Sequence, residues 1–383
     1  MSTTLGRLLG EPARHVGLAV TTSVITTIAI LGLAKIAFQS PPKKVIRSPR
    51  YTQLPRISKE GQDALPYSPD HFPGARDVVS PYGSIRVYEW GPETGRKVLL
   101  IHGISTPCIS LSGIAHGLVE KGCRVMLFDL WGRGYSDMVD LPLDSRLYAT
   151  EILLAITSSR LPWTPGGFSL VGYSLGGGIA ADFASCFPEM VKAVVLLAPA
   201  GLVRPCHFSW SSRVVYTGVI PERVLEWLVK KRMGGGKKYR PMVKTETGDA
   251  NNPTTGDALK GNRDPQFESA VLSASKPEVT IADAVQWQIN NHEGFIKSFV
   301  SSIKHSSIEE KQENWSKLGA RNDSVLIIAG ATDPVIIAKE LREDAEAAIG
   351  PEKLKWRVIE AGHEFPITNA DEVVAMVSEV WGM

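Results

Sequence analysis

The sequence predicts an α/β fold, a mostly parallel sheet flanked by helices. Short, continuously apolar and β-branched runs recur from about residue 77 onward, and longer helix-like stretches separate them in regular order. Strands that are apolar along their whole length belong to a sheet covered on both faces. Alternation with helices supplies the crossovers that a parallel sheet requires.

In chain order, IRVYEW (85–90) and KVLLIHG (97–103) come first, followed by the helix-like SLSGIAHGLVEKG and the strand RVMLFDL (124–130). A helix around 144–158 leads to FSLVGYS (168–174), a helix over 175–187 and the strand AVVLLAPAG (193–201). SVLIIAG (324–330) and KWRVIEAGH (355–363) close the sheet. More than a hundred residues separate Gly201 from Ser324, whereas one crossover helix with its loops needs roughly 10–20. A helical cap over 203–310 is therefore expected after the sixth strand, dividing the core into 77–202 and 311–383. Within it, PERVLEWLVKKR reads as a helix, and KKRMGGGKKYR (230–240) as a solvated loop or a contact for anionic lipid head groups. A second helix near 281–304 supplies Trp287, Phe295 and Phe299, which either line an acyl pocket or pack the cap's own core.

The N-terminal part differs. Residues 16–34 form an uncharged run of 19 residues, close to the roughly 20 needed to cross a bilayer. A single-pass transmembrane anchor over 1–40 is expected, followed by a Pro-, Ser- and Lys/Arg-rich linker over 41–76. The alternative is a cleaved signal peptide, because Gly32-Leu33-Ala34 gives a small-x-small site. Arg7 and Arg14 precede the run, while Lys35, Lys43, Lys44, Arg47 and Arg50 follow it. That excess places the catalytic domain on the cytosolic face, against a secretory lumen or secreted location under the signal-peptide alternative.

With 42 basic and 40 acidic residues the net charge is +2, too small a field to collect nucleic acid, and a dedicated nucleic-acid binder is excluded. Cys108, Cys123, Cys186 and Cys206 form no C-x-x-C pair or Cys/His cluster, so no metal or disulfide framework is expected. No cofactor-binding motif stands out either. Gly234-Gly235-Gly236 follows no strand and does not read as a phosphate cradle.

The chemistry concentrates at strand ends. Gly172-Tyr173-Ser174-Leu175-Gly176 joins an apolar strand to a small-residue helix, the context of a nucleophile elbow. A turn this sharp brings the residues two before and two after the serine together, which requires glycine at both. It leaves the Leu175 amide at a helix N-terminus, where negative charge is favoured. A serine hydroxyl needs a base, and the base a third group to orient it. His363, in the loop after the last strand, is the candidate base. Asp333, in Ala331-Thr332-Asp333-Pro334 after SVLIIAG, is the candidate acid. The amides of Ile104, in the loop after KVLLI, and Leu175 are the candidate oxyanion donors. His102, just before a glycine turn, reads as a structural histidine holding that loop.

These motifs make the chain resemble the α/β-hydrolase fold family: His102-Gly103, the segment FDLWGRGYSD (128–137), the elbow GYSLGG, the acid loop GATD and the closing Gly362-His363. The resemblance covers 77–383 except for the central insertion. It implies an α/β-hydrolase fold and a serine-hydrolase mechanism, with Asp129 and Asp137 structural. The chain is most similar to membrane-anchored monoacylglycerol-lipase-like and carboxylesterase-like enzymes. It is less similar to epoxide hydrolases and dehalogenases, whose nucleophile is an aspartate where Ser174 stands. The HGGG form of the oxyanion loop is absent. The reading is thus an esterase that forms an acyl-enzyme on Ser174 and acts on a small acyl ester, apolar in character, with membrane lipid as a further partner. A thioesterase, an acyltransferase or a tailoring hydrolase of a biosynthetic route would use the same triad. A non-catalytic lipid-binding relative would be expected to have lost a triad member or an elbow glycine, and every slot is filled.

Overall fold

The apolar runs pair into one dominant sheet. The computed structural model describes residues 11–37, 45–207, 220–234, 265–308 and 311–383. Its strands in chain order are β1 (Val45–Ile46), β2 (Arg76–Ser80), β3 (Gly83–Trp90), β4 (Lys97–Ile101), β5 (Arg124–Phe128), β6 (Met138–Val139), β7 (Phe168–Tyr173), β8 (Val191–Leu197), β9 (Val325–Gly330) and β10 (Leu354–Ile359). Eight of them lie side by side in the order β10-β9-β8-β7-β4-β5-β3-β2, while β1 and β6 form a separate antiparallel pair. β2 and β3 are antiparallel to their neighbours, and the other six strands of the sheet run parallel. β7 and β9 are buried at every position and β8 at all but Lys192, as a sheet covered on both faces demands.

The helices of eight or more residues among the described residues are α1 (Glu11–Ala37), α2 (Ser112–Glu120), α3 (Ser145–Thr157), α4 (Leu175–Cys186), α5 (Glu222–Arg232), α6 (Ile281–Asn291), α7 (Phe295–His305), α8 (Gln312–Gly319), α9 (Ala338–Ile349) and α10 (Ala370–Trp381). α2 packs against α10, whereas α4 packs against α3 and α8, and α8 against α9. Between β8 and β9, the sixth and seventh strands of the main sheet, the chain supplies α5, a short helix at Pro265–Ser269, α6 and α7. α6 starts at a capping box, in which Thr280 Oγ accepts from the Asp283 amide and the Asp283 carboxylate accepts from the Thr280 amide. Trp287 is buried, with its ring edge-on to Tyr67 at 5.9 Å and tilted against Tyr135 at 5.5 Å. Phe295 and Phe299 are buried 6.5 Å apart, so all three aromatics act as packing residues. Residues 235–240 of the basic run lie outside the described residues; Lys230, Lys231 and Arg232 end α5, with Lys231 over the exposed ring of Trp227.

Two N-terminal expectations meet a different picture. The single-pass membrane anchor is corrected: among the described residues no helix is long and apolar enough to cross a membrane. Within α1 the side chains of residues 20–33 are described. Thr21, Thr22, Ser23, Thr26 and Thr27 dilute that stretch, and Thr27 donates back to the Ser23 carbonyl at 2.8 Å. The expected localisation in a membrane with a cytosolic catalytic domain falls with it. The segment expected as a linker carries β1 and buries Leu54, Leu65, Tyr67 and Phe72 in the main core. Phe72 stacks on Trp90 at 5.0 Å and meets Tyr88 edge-on at 5.3 Å.

Candidate active site

Ser174 sits at the end of β7, between β4 and β8 near the middle of the sheet, and caps α4. Its backbone is held at φ 53°, ψ −118°, a region L-residues seldom occupy. Pinning comes from both sides: the Ser174 amide donates to Leu197 O at 2.9 Å, and Ser174 O accepts from the amides of Gly177 and Ala200, each at 2.9 Å. A Cβ on Gly172 would strike the Gly176 carbonyl, and one on Gly176 would strike the Ile101 carbonyl. The elbow therefore closes only with glycine at those two positions.

The loops after β9 and β10 bring the partners. His363 Nε2 lies 3.0 Å from Ser174 Oγ, and His363 Nδ1 lies 2.7 Å from Asp333 Oδ2. Asp333 is buried, and its other oxygen accepts from the amides of Val335 at 2.8 Å and Ile336 at 2.9 Å. With one oxygen fixed by two amides, the carboxylate presents the second to the imidazole in a single orientation. His363 is 7% exposed, so its chain of hydrogen bonds is largely shielded from water. The structure thus brings Ser174, His363 and Asp333 together.

Leu175 is buried as the first residue of α4, so its amide is one of the N-terminal groups that a helix leaves without an intrahelical partner. Ile104 lies in the loop after β4, which abuts the elbow: a Cβ on Gly103 would sit 3.4 Å from Ser174 Cβ. His102 is fully buried and does not face the serine. Its Nε2 accepts from the Leu130 amide at 2.9 Å and its Nδ1 donates to Gly103 O at 2.8 Å, and burial lowers its pKa to about 3. It is a neutral histidine that holds the loop. Asp129 accepts from the amides of Cys108 and Tyr135, each at 2.9 Å, and Asp137 from those of Ser48 at 2.8 Å and Ser84 at 2.9 Å. Both tie loops together away from the reacting atoms.

Two residues near the site had no signal in the sequence. Tyr173 donates its hydroxyl to the His363 carbonyl at 2.9 Å and lays its ring 5.3 Å from the imidazole. Phe267, from the cap's short helix, places its ring 5.9 Å from His363. Contact across 190 residues leaves no local pattern for Tyr173, and Phe267 follows a polar stretch without periodicity. Among the described residues no group of three or more His, Cys, Asp or Glu could hold a metal ion.

Comparison with known proteins adds to this geometry. A serine hydrolase-like protein of Danio rerio is 32% identical over 126 residues, covering 32% of this chain and 37% of that protein. The matches span about a third of the length of such curated relatives, 37% and 32% for two of them. Among solved structures, a hydrolase from Pseudomonas aeruginosa superposes with a TM-score of 0.55 at 17% identity, covering 81% of this chain and 98% of that one. The enol-lactonase from Burkholderia xenovorans gives 0.55 at 15% identity, covering 80% and 100%. At such identities the likeness is one of fold. The sequence pattern of the alpha/beta hydrolase family matches residues 98–376, from β4 through most of α10. The chain belongs to the alpha/beta hydrolase family.

Proposed function

We propose that the protein is a serine hydrolase that cleaves a carboxylic ester through an acyl-enzyme on Ser174. The observation that carries this reading is the hydrogen-bonded series Ser174 Oγ, His363 and Asp333, with contacts of 3.0 and 2.7 Å, at an elbow beside two candidate oxyanion amides. In the first step Ser174 Oγ attacks the ester carbonyl carbon while its proton passes to His363 Nε2. The carbonyl oxygen becomes an oxyanion, held by the amides of Ile104 and Leu175. Collapse breaks the bond to the alcohol oxygen, which leaves with the proton from His363. Water then attacks the acyl-enzyme with the same base, and the carboxylic acid departs as Ser174 regains its proton. Asp333 holds the imidazole so that Nε2 faces the serine and stabilises the imidazolium as it forms.

Phe267 lies against His363, so an apolar ring borders the reacting atoms, which favours an apolar acyl group. The test is hydrolysis of p-nitrophenyl esters from acetate to decanoate, with acyl thioesters of equal chain length alongside. Ester turnover rising with chain length, and lost about 10³–10⁶-fold in Ser174→Ala, is expected. Wild-type rates in Ser174→Ala would overturn the assignment, and faster thioester cleavage would move the leaving group from oxygen to sulfur.

A further inference from the structure

Three consecutive carbonyls of the loop after β4 are each held by a buried side chain. Gly103 O accepts from His102 Nδ1 at 2.8 Å, Ile104 O from Arg133 Nε at 3.1 Å, and Ser105 O from Gln288 Nε2 at 3.0 Å. A peptide unit is planar and trans, so its carbonyl and its amide point in opposite directions. Holding Gly103 O therefore sets the direction of the Ile104 N–H. Holding the next two carbonyls fixes the dihedrals on which that plane hangs.

Only the first of these holds is local. Arg133 and Gln288 are both fully buried; Arg133 reaches from the core into the cap, and Gln288 from the cap to the core. Gln288 belongs to α6 and also accepts from the Gly134 amide at 2.9 Å, so one side chain clamps the loop after β4 to the loop after β5. Arg133 Nη2 donates to Ser302 Oγ at 2.8 Å and to Ser298 O at 3.4 Å, both on α7, while Nη1 donates to Trp131 O at 2.9 Å. Tyr148, from α3, shares Ser302 Oγ at 2.7 Å. A buried guanidinium is a costly way to fill space, because desolvation opposes its charge and outweighs the favourable fields of Tyr148 and Glu151. What it offers that an apolar side chain cannot is a rigid fork of donors aimed at several acceptors at once.

We propose that Arg133 and Gln288 are positioning residues through which the cap sets the Ile104 amide for the developing oxyanion. The cap would then affect the chemical step as well as the choice of substrate. This inference rests on the reading of Ile104 and Leu175 as oxyanion donors, and it places Arg133 and Gln288 behind the loop without contact to the substrate.

The test uses Gln288→Met, Arg133→Met, Arg133→Lys and Ser302→Ala in the full chain, with melting curves to establish folding. Two readouts are followed: kcat and KM on a p-nitrophenyl ester, and affinity for an alkyl trifluoromethyl ketone, which adds Ser174 Oγ and leaves an oxyanion at the same place. Gln288→Met and Arg133→Met should lower kcat about 10- to 100-fold with KM within about twofold, a part of the loss seen when a whole oxyanion donor is removed. Affinity for the ketone should fall in parallel, and Arg133→Lys should recover part of both. Ser302→Ala removes one hydroxyl from the Arg133 arm and should cost about threefold; as the smallest change of the four, it carries the test if the larger substitutions fail to fold. A folded set in which kcat is unchanged, or in which KM rises while affinity for the ketone holds, would overturn the proposal and leave the triad standing. A wild-type protein that neither hydrolyses the ester nor binds the ketone would overturn the underlying reading, and this inference with it.

Discussion

Asp333 shows how little freedom a residue in this site has. Its two oxygens have separate duties, one to the amides of Val335 and Ile336 and one to His363 Nδ1. An asparagine has a single acceptor oxygen, so Asp333→Asn either turns an NH₂ toward those amides or forces His363 into the tautomer with its proton on Nε2. Turnover should fall about 10⁴-fold with the melting temperature nearly unchanged, as steady-state kinetics and calorimetry would show. Tyr173→Phe leaves the His363 carbonyl without that donor; a stability loss of about 1–3 kcal/mol, read from denaturant midpoints, is expected. Ser174, Asp333 and His363 were legible because each follows an apolar strand in a short loop, where sequence order stands in for geometry. Tyr173, Arg133 and Gln288 were not, since their partners are 190, 29 and 183 residues away.

At the scale of elements, β3 and the parallel strands followed from apolar runs, and the cap from the length of the insertion, whereas β1, β2, β6 and α9 were not read. The segment before β2 did not follow either, because its core residues are spaced irregularly among Pro, Ser and basic residues and so lack any helical or strand period. Tyr67 is an instance: it is 1% exposed, meets Tyr135 edge-on at 5.1 Å and accepts the Tyr135 hydroxyl on its carbonyl at 2.7 Å. Its own hydroxyl is buried without a hydrogen-bond partner among the described residues. Tyr67→Phe should therefore be neutral or slightly stabilising, whereas Tyr67→Ala should cost about 3–5 kcal/mol. Urea unfolding of the two variants decides between a core element and a tether; equal, negligible effects would mean a tether.

For the whole molecule, two buried histidines tie stability to pH. Burial lowers His102 to about 3 and His292 to about 4, against about 6.5 in the unfolded chain. Below pH 6.5 the unfolded state binds protons that the folded state does not, so stability is fully present above that pH and is lost as pH falls toward 4. With both groups contributing, the loss approaches about 3 kcal/mol per pH unit well below the unfolded value. Urea midpoints between pH 7.5 and 4.5 should fall with that steepening slope; a flat profile would mean the histidines are charged when folded. The succession of parallel strands along the chain and the candidate loops at their C-terminal ends were readable from β4 onward. The membrane span was not, because an uncharged run is not necessarily an apolar one, and Thr21, Thr22, Ser23, Thr26 and Thr27 dilute this one. The measurement bearing most directly on Ser174 as the nucleophile is peptide mass mapping after reaction with a fluorophosphonate. A single adduct on Ser174 is expected, absent in Ser174→Ala and formed far more slowly in His363→Ala. An adduct on another residue, or equal labelling of Ser174→Ala, would contradict it.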